Sequence, residues 1–474
     1  MKPNIILLIS DALRAMNLKF YGYKEDTTPY LSRLYNKGEL QFIENFYSTT
    51  DQTDPSFTTI LSGRYPLTHG ILRHGPDVRK EDIITFNKTK TRLLSELLVK
   101  NGYQTIAIDF LGRWHKRGFK IYGEPDEIHN TKTTISKIIR HKIIKKVLKG
   151  TYIYAPYESL AIRISQFYPK HNIYFKLDGI SYMIGAIKIL DQVIKEKKPF
   201  FLMIHFWDTH TPFTNVPRSL WKKYFKKGIN RTPMNEMLRK IKNDKWREIV
   251  KNYHLRRIKY VEEIEPKYNG EINYVDYAIK MLIEYLEDRK IYEETVIFLT
   301  GDHGDNLVRD GIFVGHGGLY QRVIKVPLII INSPFNKDIR KKHSQHIDLV
   351  PTIIELTGIE IKNYYLDGES LTKVNSKKTI FAVSSVARKR YAVLSDDLRY
   401  KLIYSPTIDD GMDKYGGLWM KDRIELYDLT KDPDEKINVA NEYPDIVKEL
   451  EAKINTIVTR LNRIRMKLSI TLHK

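Results

Sequence analysis

Short runs of consecutive apolar residues punctuate the chain, separated by longer stretches in which apolar positions recur every three or four residues. Ile5–Ile9, Thr105–Ile108, Phe200–Phe206, Thr295–Leu299 and Pro327–Ile331 are of the first kind. Runs of this length that do not alternate with polar residues predict strands buried on both faces. The stretches between them, such as Thr91–Lys100 (TRLLSELLVK) and Tyr274–Lys290, have a helical period. This alternation predicts an α/β fold, a large central, mostly parallel sheet sandwiched by helices. The pattern changes after about Gly358. Thr379–Val383, Tyr391–Leu394, Tyr400–Tyr404 and Ile424–Tyr427 read as short strands, and a helical pattern runs from Tyr443 to about Leu468. We therefore expect a catalytic α/β unit over 1–365 and a smaller C-terminal α+β subdomain with a terminal helix over 366–474.

In open α/β sheets, ligands bind beyond the carboxyl ends of the strands. The first predicted strand ends at Ser10-Asp11 and a later one at Thr300-Gly301-Asp302-His303. Two carboxylates and an imidazole gathered at that edge suit a divalent cation. Taken singly, Asp11 is equally a cap for a helix beginning at Ala12, and Asp302-His303 a polar turn. A second cluster is TTDQTDPSFTTILSGRYPLTHG, Thr49 to Gly70. Pro55 fits a first helical turn, which makes Thr53 or Asp54 the N-cap. A hydroxyl there faces free backbone N–H groups and the positive end of the helix dipole, a good place for an anion, although an ordinary cap has the same sequence. In LGRWHKRGFKIYG, Arg113, His115 and Lys116 form either an oxyanion site or plain surface charge. In HFWDTHTPF, His205 falls inside the apolar run and reads as a core histidine, whereas His210 lies past the strand end and is the functional candidate. In VGHGGLY, glycines flank His316 and let the backbone approach a ligand closely, or simply form a flexible turn.

Composition sharpens this picture. The chain has 474 residues, 42% of them hydrophobic and 29% charged, enough to bury a sizeable core. It has no cysteine, which excludes disulfides, thiolate metal sites and a cysteine nucleophile. The net charge is +22, and segments 130–150 and 217–267 carry +7 and +10 of it. Ile135–Leu148 (ISKIIRHKIIKKVL) reads as a basic amphipathic helix. Both segments leave from predicted strand ends at the site rim. They are expected to steer a polyanionic or membrane-associated substrate, the alternative being a solvated lysine-rich surface. No nucleic-acid motif accompanies the charge, so no nucleic-acid partner is expected. Ile5–Ile9 is too short for a signal-peptide core, and no run approaches the length of a membrane span, so the expected location is cytoplasmic.

Read in order, these motifs resemble the sulfatase family of the alkaline phosphatase superfamily. NIILLISDALRAMNLKFYGY resembles its opening strand and metal loop, TDPSFTTILSGRYPLTHG its nucleophile helix, and LGRWHKRGF its Gly-Lys-Trp-His segment. FFLMIHFWDTHTPF, TVIFLTGDHGD, GHGGLYQRVIKVPLII, HIDLVPTIIELTGI and ELYDLTKDPDEKINVA follow in family order. The resemblance implies the alkaline phosphatase-like fold and assigns roles by position. Asp11, Asp302 and His303 match metal ligands, with Thr53 at the nucleophile position also contacting the ion. Arg113 and His115 match the groups that hold the nucleophile and ester oxygens, and His210 and His316 match side chains near the substrate anion or leaving group. The implied cofactor is one divalent ion, Mn2+ or Zn2+ on ligand softness, with Ca2+ as the alternative. Three positions depart from the main sulfatase pattern. Thr53 stands where Cys or Ser is oxidised to formylglycine, Phe57 stands where an Arg follows the motif proline, and Ala12 replaces the second of two adjacent Asp residues. The resemblance therefore implies a hydrolase or transferase of phosphate or sulfate esters acting through Thr53 without formylglycine, with the phosphoester favoured. A sulfatase lacking formylglycine and a sulfatase-fold anion-binding protein are the alternatives.

Overall fold

The computed structural model describes residues 2–123, 178–213, 216–226, 228, 230–309, 311–374, 378–386, 389–406 and 422–470. The basic stretch 130–150, and with it the helix expected at Ile135–Leu148, lies outside these residues. Every apolar run above is a strand, its ends moved by two residues at most. The main sheet comprises β1 (Asn4–Ser10), β2 (Leu40–Phe42), β3 (Gln104–Ile108), β4 (Ile121–Gly123), β5 (Phe200–Phe206), β6 (Thr295–Gly301) and β7 (Leu328–Ile331), in the spatial order β2-β7-β6-β1-β5-β3-β4. β1 pairs in parallel with β5 and β6, and β3 with β4 and β5; β7 runs against both its neighbours.

The two-sided burial expected of β1 divides its residues between two cores. Ile6 and Leu8 face a layer that includes Leu31 and Leu34 of helix α1 (Pro29–Lys37). Further helices added to the same numbering are α2 (Thr53–Ser62), α3 (Leu94–Lys100), α4 (Gly179–Val193), α5 (Ile264–Asp288), α6 (Leu349–Thr357) and α7 (Pro444–Ile470). Tyr182, Met183 and Leu190 of α4 and Ile272, Val275 and Ile279 of α5 complete that first layer. Ile5, Leu7 and Ile9 face the other way, onto Phe57, Ile60 and Leu61 of α2, Leu94 and Leu98 of α3, and Val350 and Ile353 of α6. α5 starts at Ile264, ahead of the expected Tyr274, because Ile264, Tyr268 and Ile272 extend its buried stripe.

A second sheet of β8 (Phe381–Ser384), β9 (Arg390–Leu394), β10 (Tyr400–Tyr404) and β11 (Ile424–Asp428) is antiparallel throughout, its strands paired in chain order. Val447, Leu450, Ile454 and Leu461 of α7 pack on Val383, Val393, Leu402 and Leu426, and Tyr65 and Leu67, just after α2, join the same cluster. Among the described residues, no helix is long and apolar enough to cross a membrane.

α2 is unusual in that all ten of its residues are buried. Its hydroxyls tolerate this because they have partners: Thr58 donates to the Asp54 carbonyl at 2.7 Å and Thr59 to the Pro55 carbonyl at 3.0 Å. The helix ends at Gly63, whose φ of +66° and near neighbours leave no room for a side chain; an added Cβ would lie 2.7 Å from Leu366. Two contacts stitch α2 to the end of β6. Ser56 donates to the Asp302 carbonyl at 2.6 Å, and His346 Nε2 donates to the Gly301 carbonyl at 2.9 Å while its Nδ1 lies 3.2 Å from the Ser56 hydroxyl.

Burial holds the His346 imidazole neutral, its pKa lowered to about 3. Because the folded value lies below the unfolded one, this group's stabilisation is complete above pH 6.5 and is lost as the pH falls from there toward 3. The expected slope is about 1.4 kcal/mol per pH unit for this one imidazole. Urea unfolding between pH 6 and 4 should show His346→Gln with a slope shallower by about one proton than the parent chain. Equal slopes would mean that the ring titrates normally inside the fold.

Candidate active site and metal centre

β1, β5 and β6 end level with one another, with Ser10 paired to both Phe206 and Gly301. The residues that follow therefore emerge at one edge. Asp11 leaves β1 through a turn in which Ala12 takes a φ of +64°, and Asp302 leaves β6 after Gly301. Gly301 is needed for close approach, since a Cβ there would lie 2.5 Å from the Leu13 carbonyl oxygen. Asp302 Oδ1 accepts the Ala12 amide at 3.0 Å and the His303 amide at 2.8 Å, fixing both turns to one carboxylate. No helix starts at Ala12, so Asp11 is not a cap; the next helical turn begins at Ala15.

Ligand atoms of Asp11, Asp302 and His303 lie within 4.8 Å of one another, and all three residues are fully buried. His303 Nε2 stands 3.8 Å from Asp11 Oδ1 and 3.4 Å from Asp302 Oδ2. Both Asp11 oxygens and Asp302 Oδ2 have no hydrogen-bond partner. Burial opposes the charge on Asp11, but the imidazoles of His210, His205 and His303 outweigh it and hold the carboxyl well below the usual range. Burial and the neighbouring Asp11 push Asp302 the other way. Burial lowers the pKa of His303, but Asp302 and Asp11 reverse this and leave it raised. Two carboxylates with three bare oxygens and an imidazole in a dry interior form a donor set suited to a divalent cation.

Thr53 is the first residue of α2 rather than its N-cap, because the Gln52 carbonyl already accepts the Ser56 amide at 3.1 Å. Its hydroxyl is thereby released from capping and lies 3.4 Å from His303 Nε2. Asp54 does not cap either. Its carboxylate accepts the Gly75 amide at 2.7 Å, pairs with His74 Nδ1 at 2.8 Å and makes a short ion pair with Arg113. Burial opposes its charge, yet His74, His115 and Arg113 keep the carboxyl below its ordinary range. His115 lies deeper, 3.9 Å from Asp54 Oδ1 and 3.3 Å from the Thr58 hydroxyl, and burial depresses its pKa to about 4. Arg113 and His115 thus meet the first turn of α2 through Asp54, whereas His303 meets Thr53 directly.

The opposite wall is built of imidazoles. His316 stacks on His303 with centroids 4.3 Å apart, and His210 lies 5.6 Å from His316. His316 is held by Nδ1 donating to the Asp51 carbonyl at 2.8 Å. The Asp51 carboxylate accepts the Gly318 amide and the Ser384 hydroxyl, and burial pushes its pKa up to about 6. Asp51, His254 and Asp109 lie around the site without having been singled out from the sequence, and Asp54 was read there only as a cap. Asp51 and Asp54 lie within the quoted Thr49–Gly70 motif, and Asp109 follows a strand, so a positional signal existed for these three. His254 comes from the basic insertion 217–267 and reaches His210 at a centroid distance of 6.5 Å, its Nδ1 2.6 Å from the Thr211 hydroxyl. Nothing local marks it.

A sequence profile of the sulfatase family matches residues 3–359. A sulfatase of Formosa agariphila is 25% identical over 479 aligned positions, covering 93% of this chain and 84% of its own. Human arylsulfatase A is 22% identical and covers 95% of this chain and 86% of its own. Among solved structures, the phosphonate monoester hydrolase of Agrobacterium radiobacter superposes with a TM-score of 0.67 at 16% identity, covering 97% of this chain and 96% of that one. A protein solved with its substrate D-glucosamine-2-N,6-O-disulfate gives a TM-score of 0.62 at 18% identity, covering 100% of this chain and 99% of its own. At these identities the solved structures establish a common fold.

The Asp54 cluster is open to a stability test. Asp54→Asn keeps the shape but leaves Arg113 and His74 without their anion. Because Arg113 is 36% exposed and rehydrates, the expected loss is about 2 kcal/mol, below that of a sealed pair. Chemical unfolding of the two chains measures it, and an unchanged midpoint would show that the pair contributes nothing net.

Proposed function

The chain belongs to the sulfatase family, a family of hydrolases, and we propose that it hydrolyses an anionic phosphate ester through Thr53 with a divalent metal ion and without formylglycine. The observation that carries this reading is the Thr53 hydroxyl, 3.4 Å from His303 Nε2 at the buried Asp11, Asp302 and His303 cluster. Asp11, Asp302, His303 and Thr53 would hold the ion. Once bound, it supplies Lewis acidity that lowers the pKa of the Thr53 hydroxyl and offsets charge on the ester oxygens. We favour Mn2+ or Zn2+ over Ca2+, because an imidazole stands among the donors.

The chain's own residues then have distinct tasks. Thr53 Oγ1, its proton released to water, attacks phosphorus in line as the bond to the leaving oxygen breaks. Arg113, tethered to Asp54 and still partly open to solvent, neutralises the incoming ester. His115 positions Asp54 from the buried side. His210 donates a proton to the leaving oxygen, and His316, stacked on His303, walls the pocket. Water then cleaves the Thr53 ester and releases the anion. We place these groups in a catalytic unit of residues 1–365, walled by a second unit over 366–474. Segments 130–150 and 217–267 supply positive charge that draws in a polyanionic substrate.

Thr53 cannot become the formylglycine aldehyde, so its ester must be cleaved by water. This favours phosphorus, where a hydroxyl nucleophile suffices. The second reading, a sulfate ester as substrate, is favoured by the relatives, which include the Formosa agariphila sulfatase and human arylsulfatase A.

The discriminating experiment is a panel of aryl phosphate monoesters, phosphate diesters and sulfates, each assayed with Mn2+, Zn2+ and Ca2+. Turnover of phosphoesters above sulfates is expected, and sulfate-only turnover would replace the first reading with the second. Thr53→Ala should lose about 10³-fold or more in kcat, with Thr53→Ser retaining activity. Full activity in the alanine variant would end the nucleophile assignment. Chelation should abolish turnover and either Mn2+ or Zn2+ should restore it.

A further inference from the structure

A cavity of about 580 Å³ opens between the turn that follows β1 and the N-terminal end of α5. None of Asp11, Thr53, His210, His303 and His316 lines it. Its size suits one small organic molecule. Four cations, Arg14, Lys24, Lys226 and Arg322, and four carboxylates, Glu25, Glu262, Glu265 and Asp434, contribute to its wall, so the count of charges selects no ligand. Their placement does.

Arg14 is only 5% exposed. Its stem packs on Gly304, where an added Cβ would lie 3.0 Å from Arg14 Cγ, and its own amide donates to the Tyr268 hydroxyl at 2.8 Å. The guanidinium held in this way has no counter-ion. No carboxylate among the described residues forms an ion pair with it, Nε has no hydrogen-bond partner, and Nη2 reaches the Met16 thioether at 2.6 Å, a weak acceptor. A buried cation without an anion is costly. Burial accordingly lowers its pKa and the nearby Arg322 adds to this, against the opposing pull of Tyr268, Glu265 and Asp305.

Arg322 brings a second bare Nε to the same cavity, its Nη2 being committed to Asp434 at 2.7 Å. The other carboxylates are engaged as well, Glu265 by the Tyr23 hydroxyl at 3.2 Å and Glu262 by the Thr232 amide at 2.9 Å. Asn17 Oδ1 is a third buried atom without a partner, while the amide nitrogen of the same side chain donates to Asn269 Oδ1 at 2.8 Å. Two bare guanidinium N–H donors call for an oxyanion, and a bare amide oxygen calls for a hydroxyl. Lys24 and Lys226, both exposed, add positive charge at the mouth, and Tyr224 and Phe225 add aromatic wall.

We infer that this cavity is a second anion site, separate from the metal centre, which takes a phosphate or sulfate ester of a small hydroxylated molecule, its oxyanion on Arg14 and Arg322 and a hydroxyl on Asn17. Sugar phosphates and sugar sulfates share this chemistry. The site goes beyond the reaction proposed above and needs no metal ion.

Binding is measured by calorimetry on the metal-free chain in chloride buffer, with glucose 6-phosphate, glucose 6-sulfate and inorganic phosphate as probes. One molecule of a glucose ester should bind per chain, about tenfold or more tightly than inorganic phosphate, and the tighter of the two esters identifies the oxyanion. Arg322→Gln should weaken that binding by about tenfold or more. Arg14→Met, which keeps an unbranched stem and removes the charge, should abolish it. Because this variant loses an uncompensated buried cation, it should also melt above the parent chain in ester-free buffer. Saturating ester should raise the melting temperature of the parent chain and leave that of Arg14→Met unchanged, a comparison that stands even if Arg322→Gln fails to fold. A parent chain that binds neither ester, or variants that bind as the parent does, overturn the site. Inorganic phosphate binding as tightly as the esters overturns the assignment of a hydroxylated ligand. Every reading is taken without metal, so failure here leaves the metal-dependent reaction to its own test.

Discussion

Asp302 is the residue on which the site depends. Its Oδ1 holds the backbone amides of Ala12 and His303, and its carbonyl oxygen takes the hydroxyls of Ser48 and Ser56. Three segments remote in sequence, namely the exits of β1 and β6 and the stretch leading into α2, are thereby fixed to one residue. Only Oδ2 is left over, and it faces His303 and the bare oxygens of Asp11. Committing one carboxylate oxygen to the frame and the other to the centre is what holds the donors in a low-dielectric interior without their repulsion pulling the strand ends apart. The neutral imidazole of His346 continues the same frame from behind, on the carbonyl of Gly301.

The sheet was legible because buried parallel strands need apolar side chains on both faces, which leaves continuous runs such as Ile5–Ile9 and Phe200–Phe206. Once those runs are placed, the residues just past their ends are placed too, and Asp11, Asp302 and His303 are found from position alone. α2 was legible as a helix starting near Pro55 but not in its first turn. Pro55 pointed to an N-cap at Thr53 or Asp54, and the Gln52 carbonyl accepting the Ser56 amide moves the cap to Gln52 instead. His205 shows the limit of pattern reading. It occupies a core position in an apolar run, and its polar partners, Asp109 and Asp11, lie 96 and 194 residues away in the chain. His254 lay beyond reach for a different reason, since it arrives on an insertion with no strand end to mark it.

The departures from the main sulfatase pattern form a connected set. Ala12 removes a carboxylate beside Asp11, Phe57 removes a cation from the second turn region of α2, and Thr53 removes the residue that would be oxidised. The space around them is filled by Phe57 and Phe110 on the two faces of His205, and by the pairing of Arg113 with Asp54. A guanidinium tethered to Asp54 is therefore the permanent positive charge beside the first turn of α2.

The small antiparallel sheet contributes directly to this centre. The Val383 amide at the end of β8 donates to the Thr49 carbonyl, and the Ser384 hydroxyl donates to Asp51, whose own carbonyl holds His316. Asp51 precedes Ser384 by 333 residues. During synthesis the segment bearing Thr53 leaves the ribosome long before the strand that steadies the loop in front of it, so the wall of imidazoles closes only when the last quarter of the chain has folded. Nascent chains therefore carry Thr53 long before the contacts from Val383 and Ser384 that steady the loop ahead of α2 can form.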